Sequence, residues 1–339
     1  MRVLISGYYG YGNLGDEAVL SGLAAGLRER DADLCVLSGN PAATRAMHDL
    51  RAVDRYRGLV TGLLSSDALV SGGGGLLQDV TSTRSLAYYL GVIRLARRLG
   101  KRTCVYAQSV GPLSEAGAGR VARVLSGVPI AVRDSASVAL LDGLGLNASL
   151  VGDPALLLSA PPAKPTAAGA SASTGAQGTA APVLLIPRAG HDDLNAALLE
   201  AGRRLRDRGV PLALLALHER QDAAAVASLA AALGLAPWRA ESPSEALAHV
   251  ASARYVLSVR LHGLIFAATR SVGFAGLVYD PKVAGFLADA HAPAFTRPVD
   301  TDGLAAVAMA AAPPDARAVA TLTDRARDGL ARLVQHIIR

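Results

Sequence analysis

Short apolar runs that end in glycine or a polar residue alternate with amphipathic stretches along nearly the whole chain. This alternation limits the fold more than any other feature. Residues 3–6 run into glycines, and a helical pattern follows from Asp16, with Val19, Leu20, Leu23 and Leu27 on one stripe. Further strand-like runs stand at 34–37, 68–71, 103–107 and Ile130–Val132. Between the second and third of these, 84–99 reads as a helix. Leu86, Tyr89, Leu90 and Ile93 face one way, and Arg94, Arg97 and Arg98 mostly the other. The pattern resumes with strand Val183–Ile186, a helix from about Asp193, strand 212–217, a helix from Asp222, and strands Tyr255–Ser258 and 274–279. Strands that alternate with helices predict parallel sheets covered by helices.

The alternation breaks once. Residues 159–182 are almost entirely Ala, Gly, Ser, Thr and Pro, with Lys164 as the only charge. Such a segment cannot bury enough side chain to order itself, so it is expected to be a flexible linker. The expected organisation is a Rossmann-like domain over 1–158, a linker over 159–182, a second Rossmann-like domain over 183–312 and a terminal helix over 315–339. Val319, Leu322, Ala326, Leu330, Leu333 and Ile337 form one apolar face of that helix. The fold class is therefore α/β, with two Rossmann-like domains expected to face each other across a cleft.

Charge and composition narrow the function classes. The formal charge is +6, from 34 basic and 28 acidic residues, while aromatics are only 4%. No basic cluster alternates with aromatics as a nucleic-acid stacking platform requires, so no nucleic-acid partner is expected. A basic surface would favour phosphorylated substrates or peripheral contact with the anionic inner face of a membrane. Mean hydropathy is +0.31, much of it from alanine. No apolar run is long enough to span a bilayer, and the first six residues read as a strand rather than a signal peptide, so a cytoplasmic location is expected. Cys35 and Cys104 each sit inside an apolar run, as buried structural thiols do. No His/Cys/Asp group has metal-ligand spacing, so no metal is expected.

The candidate chemistry gathers where strands end. Ser258-Val259-Arg260-Leu261-His262-Gly263 puts a permanent cation and an imidazole at a strand-to-helix junction, beside free backbone N–H groups. Arg133 follows strand Ile130–Val132 and suits bidentate binding of a carboxylate or phosphate, with Asp134 expected to cap the next helix. Tyr279-Asp280-Pro281-Lys282 places another cation in the same way, or a solvated lysine at a helix start. Gly10-Tyr11-Gly12-Asn13-Leu14-Gly15 matches the dinucleotide fingerprint, but Gly7 already holds the place of its first glycine. The second strand also lacks the expected acid, and Asp16 and Glu17 put negative charge where a pyrophosphate would bind. A dehydrogenase is disfavoured on these grounds. Asn13 and Asp16 either stabilise the helix or bind sugar hydroxyls, with Gly12 allowing close approach. Ser71-Gly72-Gly73-Gly74-Gly75-Leu76-Leu77-Gln78-Asp79 reads as a second glycine loop after a buried strand, either an anion nest in which Gly73 and Gly74 offer backbone N–H groups to substrate or a merely flexible turn. Gln108-Ser109-Val110-Gly111-Pro112 ends a further strand on the same rim.

Taken together, these segments resemble the polysaccharide pyruvyl transferases, particularly the CsaB type, and the shared motifs run from Gly7 to Lys282. The resemblance implies a GT-B fold and transfer of a pyruvyl group from phosphoenolpyruvate, a co-substrate rather than a cofactor, to a sugar as a cyclic ketal. For the CsaB type the implied acceptor is N-acetylmannosamine in a lipid-linked secondary cell-wall polymer precursor, whose ketal anchors S-layer proteins. It also implies that Arg133, His262 and Lys282 are the catalytic residues, with Arg260, Gly12, Asn13, Asp16, Gly73, Gly74, Gln78, Asp79 and Gln108 binding substrate. His262 is either the acid that protonates the enol methylene or a phosphate ligand only, and Asp16 and Asp79 are the candidate bases. Two rival readings share the same features: a nucleotide-sugar glycosyltransferase and a non-catalytic glycan- or phospho-ligand-binding protein.

Overall fold

The structure is a computed structural model that describes residues 1–80, 82–158 and 180–338. Residues 159–179 of the expected linker lie outside the described residues. The chain divides into two compact units, Met1–Leu158 with Thr321–Arg339, and Ser159–Ala320.

The first unit is a seven-stranded parallel sheet. Its strands are β1 (Arg2–Ser6), β2 (Asp33–Ser38), β3 (Arg51–Asp54), β4 (Ala68–Leu77), β5 (Arg102–Val110), β6 (Ile130–Val132) and β7 (Ala148–Leu150), in the spatial order β3-β2-β1-β4-β5-β6-β7. Helices α1 (Leu14–Arg28), α2 (Pro41–His48), α3 (Leu59–Leu64), α4 (Thr83–Arg98), α5 (Glu115–Leu125) and α6 (Ser135–Gly143) connect them. The central strands are buried on both faces, which explains their unbroken apolar runs. One face packs Leu20, Leu23 and Leu27 of α1 into a core with Leu330, Leu333 and Ile337 of the terminal helix. The other packs Leu63 of α3, Leu86 and Leu90 of α4, and Val121 and Leu125 of α5 into a second core.

The second unit holds a five-stranded parallel sheet of β8 (Val183–Ile186), β9 (Leu212–Leu214), β10 (Tyr255–Ser258), β11 (Gly273–Leu277) and β12 (Ala294–Phe295), in the order β12-β11-β10-β8-β9. Helices α7 (Asp192–Asp207), α8 (Glu219–Leu233), α9 (Pro243–Ala251), α10 (Leu261–Thr269), α11 (Pro281–Asp289) and α12 (Thr301–Ala310) complete it. The terminal helix α13 spans Ala316–Ile338. Both units are thus parallel sheets with flanking helices, the α/β class that the sequence pattern predicts. Among the described residues no helix is long and apolar enough to cross a membrane.

One local expectation is corrected. The four glycines Gly72–Gly75 are not a loop. They lie inside β4, which continues to Leu77 and pairs with β5 through Gly72↔Tyr106 and Gly74↔Gln108. The reason is steric. A Cβ on Gly73 would stand 2.2 Å from Val19 Cγ1, and one on Gly74 would stand 2.7 Å from Asp16 Oδ1, so glycine lets the strand run directly under α1. Tyr9 adds a hydrogen bond of 2.6 Å from its hydroxyl to the Gly72 carbonyl.

Candidate functional site

In the first unit, polar side chains collect at the C-terminal ends of the strands. The loop after β1 turns through Gly10 and Gly12, at φ +80° and +75°. The Gly10 N–H donates to Glu17 Oε1 at 2.8 Å, and the other Glu17 oxygen pairs with His48 Nε2 at 2.8 Å. That buried pair fixes the loop from below. Asn13 caps α1 by accepting from the Gly15 N–H, and its amide donates to Asp16 Oδ2. Nothing stands within 4 Å of where a Gly12 side chain would be, so the loop tip is open.

Arg133, at the end of β6, is held by its neighbours. Its Nε donates to Ser109 Oγ at 2.9 Å and its Nη1 to Asp153 Oδ2 at 2.6 Å, with both ion-pair side chains 5% exposed. Burial works against the Arg133 charge, but the carboxylates of Asp153 and Asp134 outweigh it and raise its pKa. Asp134 caps α6 through the Ser137 N–H, as its position predicts. Gln108 is fully buried and donates to Ser71 Oγ at 2.8 Å. Asp79 accepts from the Ser114 hydroxyl and N–H, and these bonds lower its pKa. A carboxylate so satisfied is a weak base. Gln78, beside it, is half-buried.

Sequence reasoning missed an arginine–tyrosine cluster on the same rim. Arg55 lies just past β3, with its guanidinium 3.9 Å from the Tyr88 ring centre and its Nη1 donating to the Tyr11 hydroxyl at 3.1 Å. Tyr11 stacks on Tyr8 at 4.4 Å. The Arg55 contacts with Tyr11 and Tyr88 span tens of residues, and no local spacing signals them.

The second unit concentrates positive charge. Ser258 at the end of β10 is in register with Ile186 of β8 and Gly276 of β11, so residues just past these strands emerge at one level. Arg260 is buried, with Nε to Asp222 Oδ2 at 2.5 Å and Nη2 to Asp222 Oδ1 at 2.7 Å. Nη2 also reaches Gln221 Oε1 at 3.2 Å. Asp222, fully buried on α8, accepts the Ala189 N–H as well and so ties the loop after β8 to the same carboxylate. His262 sits in the first turn of α10. Gly263 follows because a Cβ there would stand 2.4 Å from Ser258 Oγ and 2.8 Å from Ile186 Cδ1.

Tyr279, two residues past β11, is the hub of the neighbouring strand ends. The Arg188 guanidinium lies 4.5 Å from its ring centre, Lys282 Nζ 5.7 Å, and the His191 ring 4.5 Å. Lys282 Nζ donates to Asp280 Oδ2 at 2.8 Å, and Asp280 also caps α11. Asn195 clamps the Arg188 backbone, accepting from its N–H at 3.1 Å and donating to its carbonyl at 2.7 Å. Arg188 was not singled out in the sequence. Its signal was available, because it follows Ile186 at the offset by which Arg260 follows Ser258.

Two histidines report the local field. Burial lowers the pKa of His191, and Arg188 and Arg297 lower it further. Burial and Arg260 do the same to His218. Arg188, Arg260 and Lys282 at the strand ends of the second unit, with Tyr279 among them, suit a small polyanion, and Asp222 and Asp280 offset part of their charge. Arg260 and His262 follow β10 and Lys282 follows the adjacent strand β11 in the second unit, while Arg133, Gly12, Asn13, Asp16, Gly73, Gly74, Gln78, Asp79 and Gln108 belong to the first unit. Among the described residues no group of three or more His, Cys, Asp or Glu side chains is placed to hold a metal.

Comparison with known proteins agrees with this architecture. The chain resembles the Acinetobacter baumannii MurG structure at 14% identity and a TM-score of 0.51, over 99% of both chains. It resembles a putative UDP-N-acetylglucosamine 2-epimerase from Listeria monocytogenes at 10% identity and a TM-score of 0.61, over 98% of this chain and 94% of that one. It also resembles Anabaena Alr3699/HepE, solved in complex with UDP-glucose, at 12% identity and a TM-score of 0.58, over 99% and 97%. At these identities the likeness shows the fold, which is the two-domain α/β fold of the GT-B glycosyltransferases. No curated protein matches the chain in sequence. The polysaccharide pyruvyl transferase profile matches residues 13–281, and over that span the chain belongs to the polysaccharide pyruvyl transferase family.

Proposed function

We propose that this transferase moves the pyruvyl group of phosphoenolpyruvate onto two hydroxyls of one sugar, forming a cyclic ketal and releasing phosphate. The observation that carries this reading is the cation cluster of the second unit. Arg188 and Lys282 flank Tyr279, and Arg260 emerges level with Arg188 on the adjacent strand. Phosphoenolpyruvate carries a carboxylate and a phosphate on a three-carbon frame, so it needs several cations close together. The Asp222 carboxylate offsets part of the Arg260 charge and fixes its plane, leaving Nη1 for the donor.

In this mechanism His262 gives a proton to the enol methylene, and the adjacent carbon takes on oxocarbenium character. One sugar hydroxyl attacks that carbon, phosphate leaves, and the second hydroxyl closes the ring. The two hydroxyl protons balance the one added to the methylene and the one carried away. Arg188 and Lys282 stabilise charge that grows on the departing phosphate. A positioned acid is worth roughly 10²–10⁴ in rate. Asn13 and Asp16 of the first unit, beside the open Gly12 tip, are the proposed sugar ligands. Likeness to the CsaB type favours N-acetylmannosamine of a lipid-linked secondary cell-wall polymer precursor as acceptor, and a cytoplasmic enzyme working at the inner membrane face to anchor S-layer proteins.

The test is phosphate release from phosphoenolpyruvate with short amino-sugar glycolipid acceptors, run beside a panel of nucleotide sugars. Phosphate release with a ketal-bearing product supports the proposal, whereas nucleotide release with a glycoside product replaces it with glycosyl transfer. His262→Gln separates the roles of the imidazole. Collapsed turnover with donor affinity kept identifies the acid, and lost affinity with normal turnover leaves a phosphate ligand only.

A further inference from the structure

We propose that the face formed by α3, α4 and α5 of the first unit docks on an anionic phospholipid surface. Helices α4 and α5 lie side by side, and α3 packs into the same core, since Leu63, Leu86, Leu90, Val121 and Leu125 share it. A groove of about 550 Å³ runs between α4 and α5, and Arg94, Arg97, Arg98, Arg120 and Arg123 line it. All five arginines are exposed, and none forms an ion pair with a described residue. Arg97 spans the groove, its Nη1 donating to the Val124 carbonyl at 2.8 Å. With Arg84, the three helices carry six arginines against the single carboxylate of Glu115. Glu115 and Asp79, which faces Arg120, offset only a small part of that charge, so the face favours an anionic partner.

Exposed apolar side chains choose between a soluble phosphate and a lipid surface. Val60 and Leu64, one turn apart on α3, are 53% and 59% exposed, and Leu99 at the end of α4 is 37% exposed. Lys101 joins the two places, its Nζ donating to the Ser66 carbonyl at 2.7 Å just past α3. A soluble polyanion gains nothing from leucines in water. A bilayer interface takes arginines at the phosphates and leucines beneath them. Each basic residue near an anionic surface strengthens binding about fivefold, an effect that fades beyond a Debye length. The groove residues lie outside the candidate site, so the surface stands independently of the pyruvyl-transfer reading.

Vesicle flotation of the full chain without substrate tests the surface. Phosphatidylcholine vesicles doped with phosphatidylglycerol should carry the protein, phosphatidylcholine alone should carry little, and raised salt should release it. Arg94→Gln/Arg98→Gln/Arg120→Gln/Arg123→Gln should lose binding by a hundredfold or more at about fivefold per arginine. Leu64→Ser should weaken binding without changing its salt dependence, and unaltered circular dichroism should confirm that both variants fold. Equal partition onto both vesicle types, no partition onto either, or full binding by the quadruple variant overturns the proposal. So does binding of inorganic polyphosphate without any binding to vesicles.

Discussion

Removing the Asp222 carboxylate should destabilise the second unit far more than an ordinary surface substitution would. The side chain is fully buried and accepts two bonds from a 5% exposed arginine together with the Ala189 N–H. In Asp222→Asn, one amide oxygen can still accept a bond, but the NH₂ group faces the Arg260 donors and the guanidinium charge is left buried without a counter-ion. Breaking a buried pair from one side costs about 3–5 kcal/mol. For a unit of this size each kcal/mol moves the midpoint by roughly 2–4 °C, so the transition should fall by roughly 6–20 °C. Calorimetry on the whole chain reads this as a drop in the transition of the second unit. Asp222→Leu/Arg260→Met removes both charges at similar volume and should recover most of the loss, because apolar replacements of buried pairs are often neutral. The double variant should still lose donor affinity, since the cation is gone. A drop of less than ~2 °C in Asp222→Asn would mean that the pair is solvated rather than buried, against the geometry seen here.

Three further outcomes follow from the same geometry. Because His191 and His218 have lowered pKa values in the folded state, the unfolded chain takes up protons first as pH falls. Stability should therefore be flat between about pH 7 and 8, decline as pH falls through about 6.5, and level off below the folded values, with His191→Gln/His218→Gln flattening the urea-midpoint profile on the acid side. Gly263→Ala and Gly74→Ala should each cost about 1–3 kcal/mol in chemical denaturation, the first by collision with Ser258 and the second at φ +82° beside Asp16. Gly285→Ala, with open space around it on α11, should instead be neutral or stabilising by about 0.5–1 kcal/mol.

Much of the fold was legible because the central parallel strands are buried on both faces and read as unbroken apolar runs. Val183–Ile186 and Tyr255–Ser258 show this plainly. The edge strands did not read so clearly. β3 is the tetrapeptide Arg51–Asp54, with only Ala52 and Val53 apolar, and β7 is only Ala148–Leu150, both too short and too exposed to give a pattern. Gly72–Gly75 misled because glycine weakens a strand in general, whereas here it clears space for α1. At the site, cations just past strand ends were readable from position alone. Their partners were not, since Asp153 lies 20 residues from Arg133 and Asp222 lies 38 from Arg260. Only parallel register brings Arg188, Arg260 and Tyr279 to one level, and a single sequence states no register.

In the proposed reaction the second unit's strand ends hold a small enol phosphate that bears a carboxylate. Titration calorimetry with phosphoenolpyruvate on the intact chain, on Arg188→Met and on Lys282→Met tests it most directly. Binding should be saturable and one-to-one, and should weaken about tenfold or more in each variant, a loss typical of a charge-assisted hydrogen bond. Unchanged binding in both variants, or no heat with any of the three proteins, would contradict it.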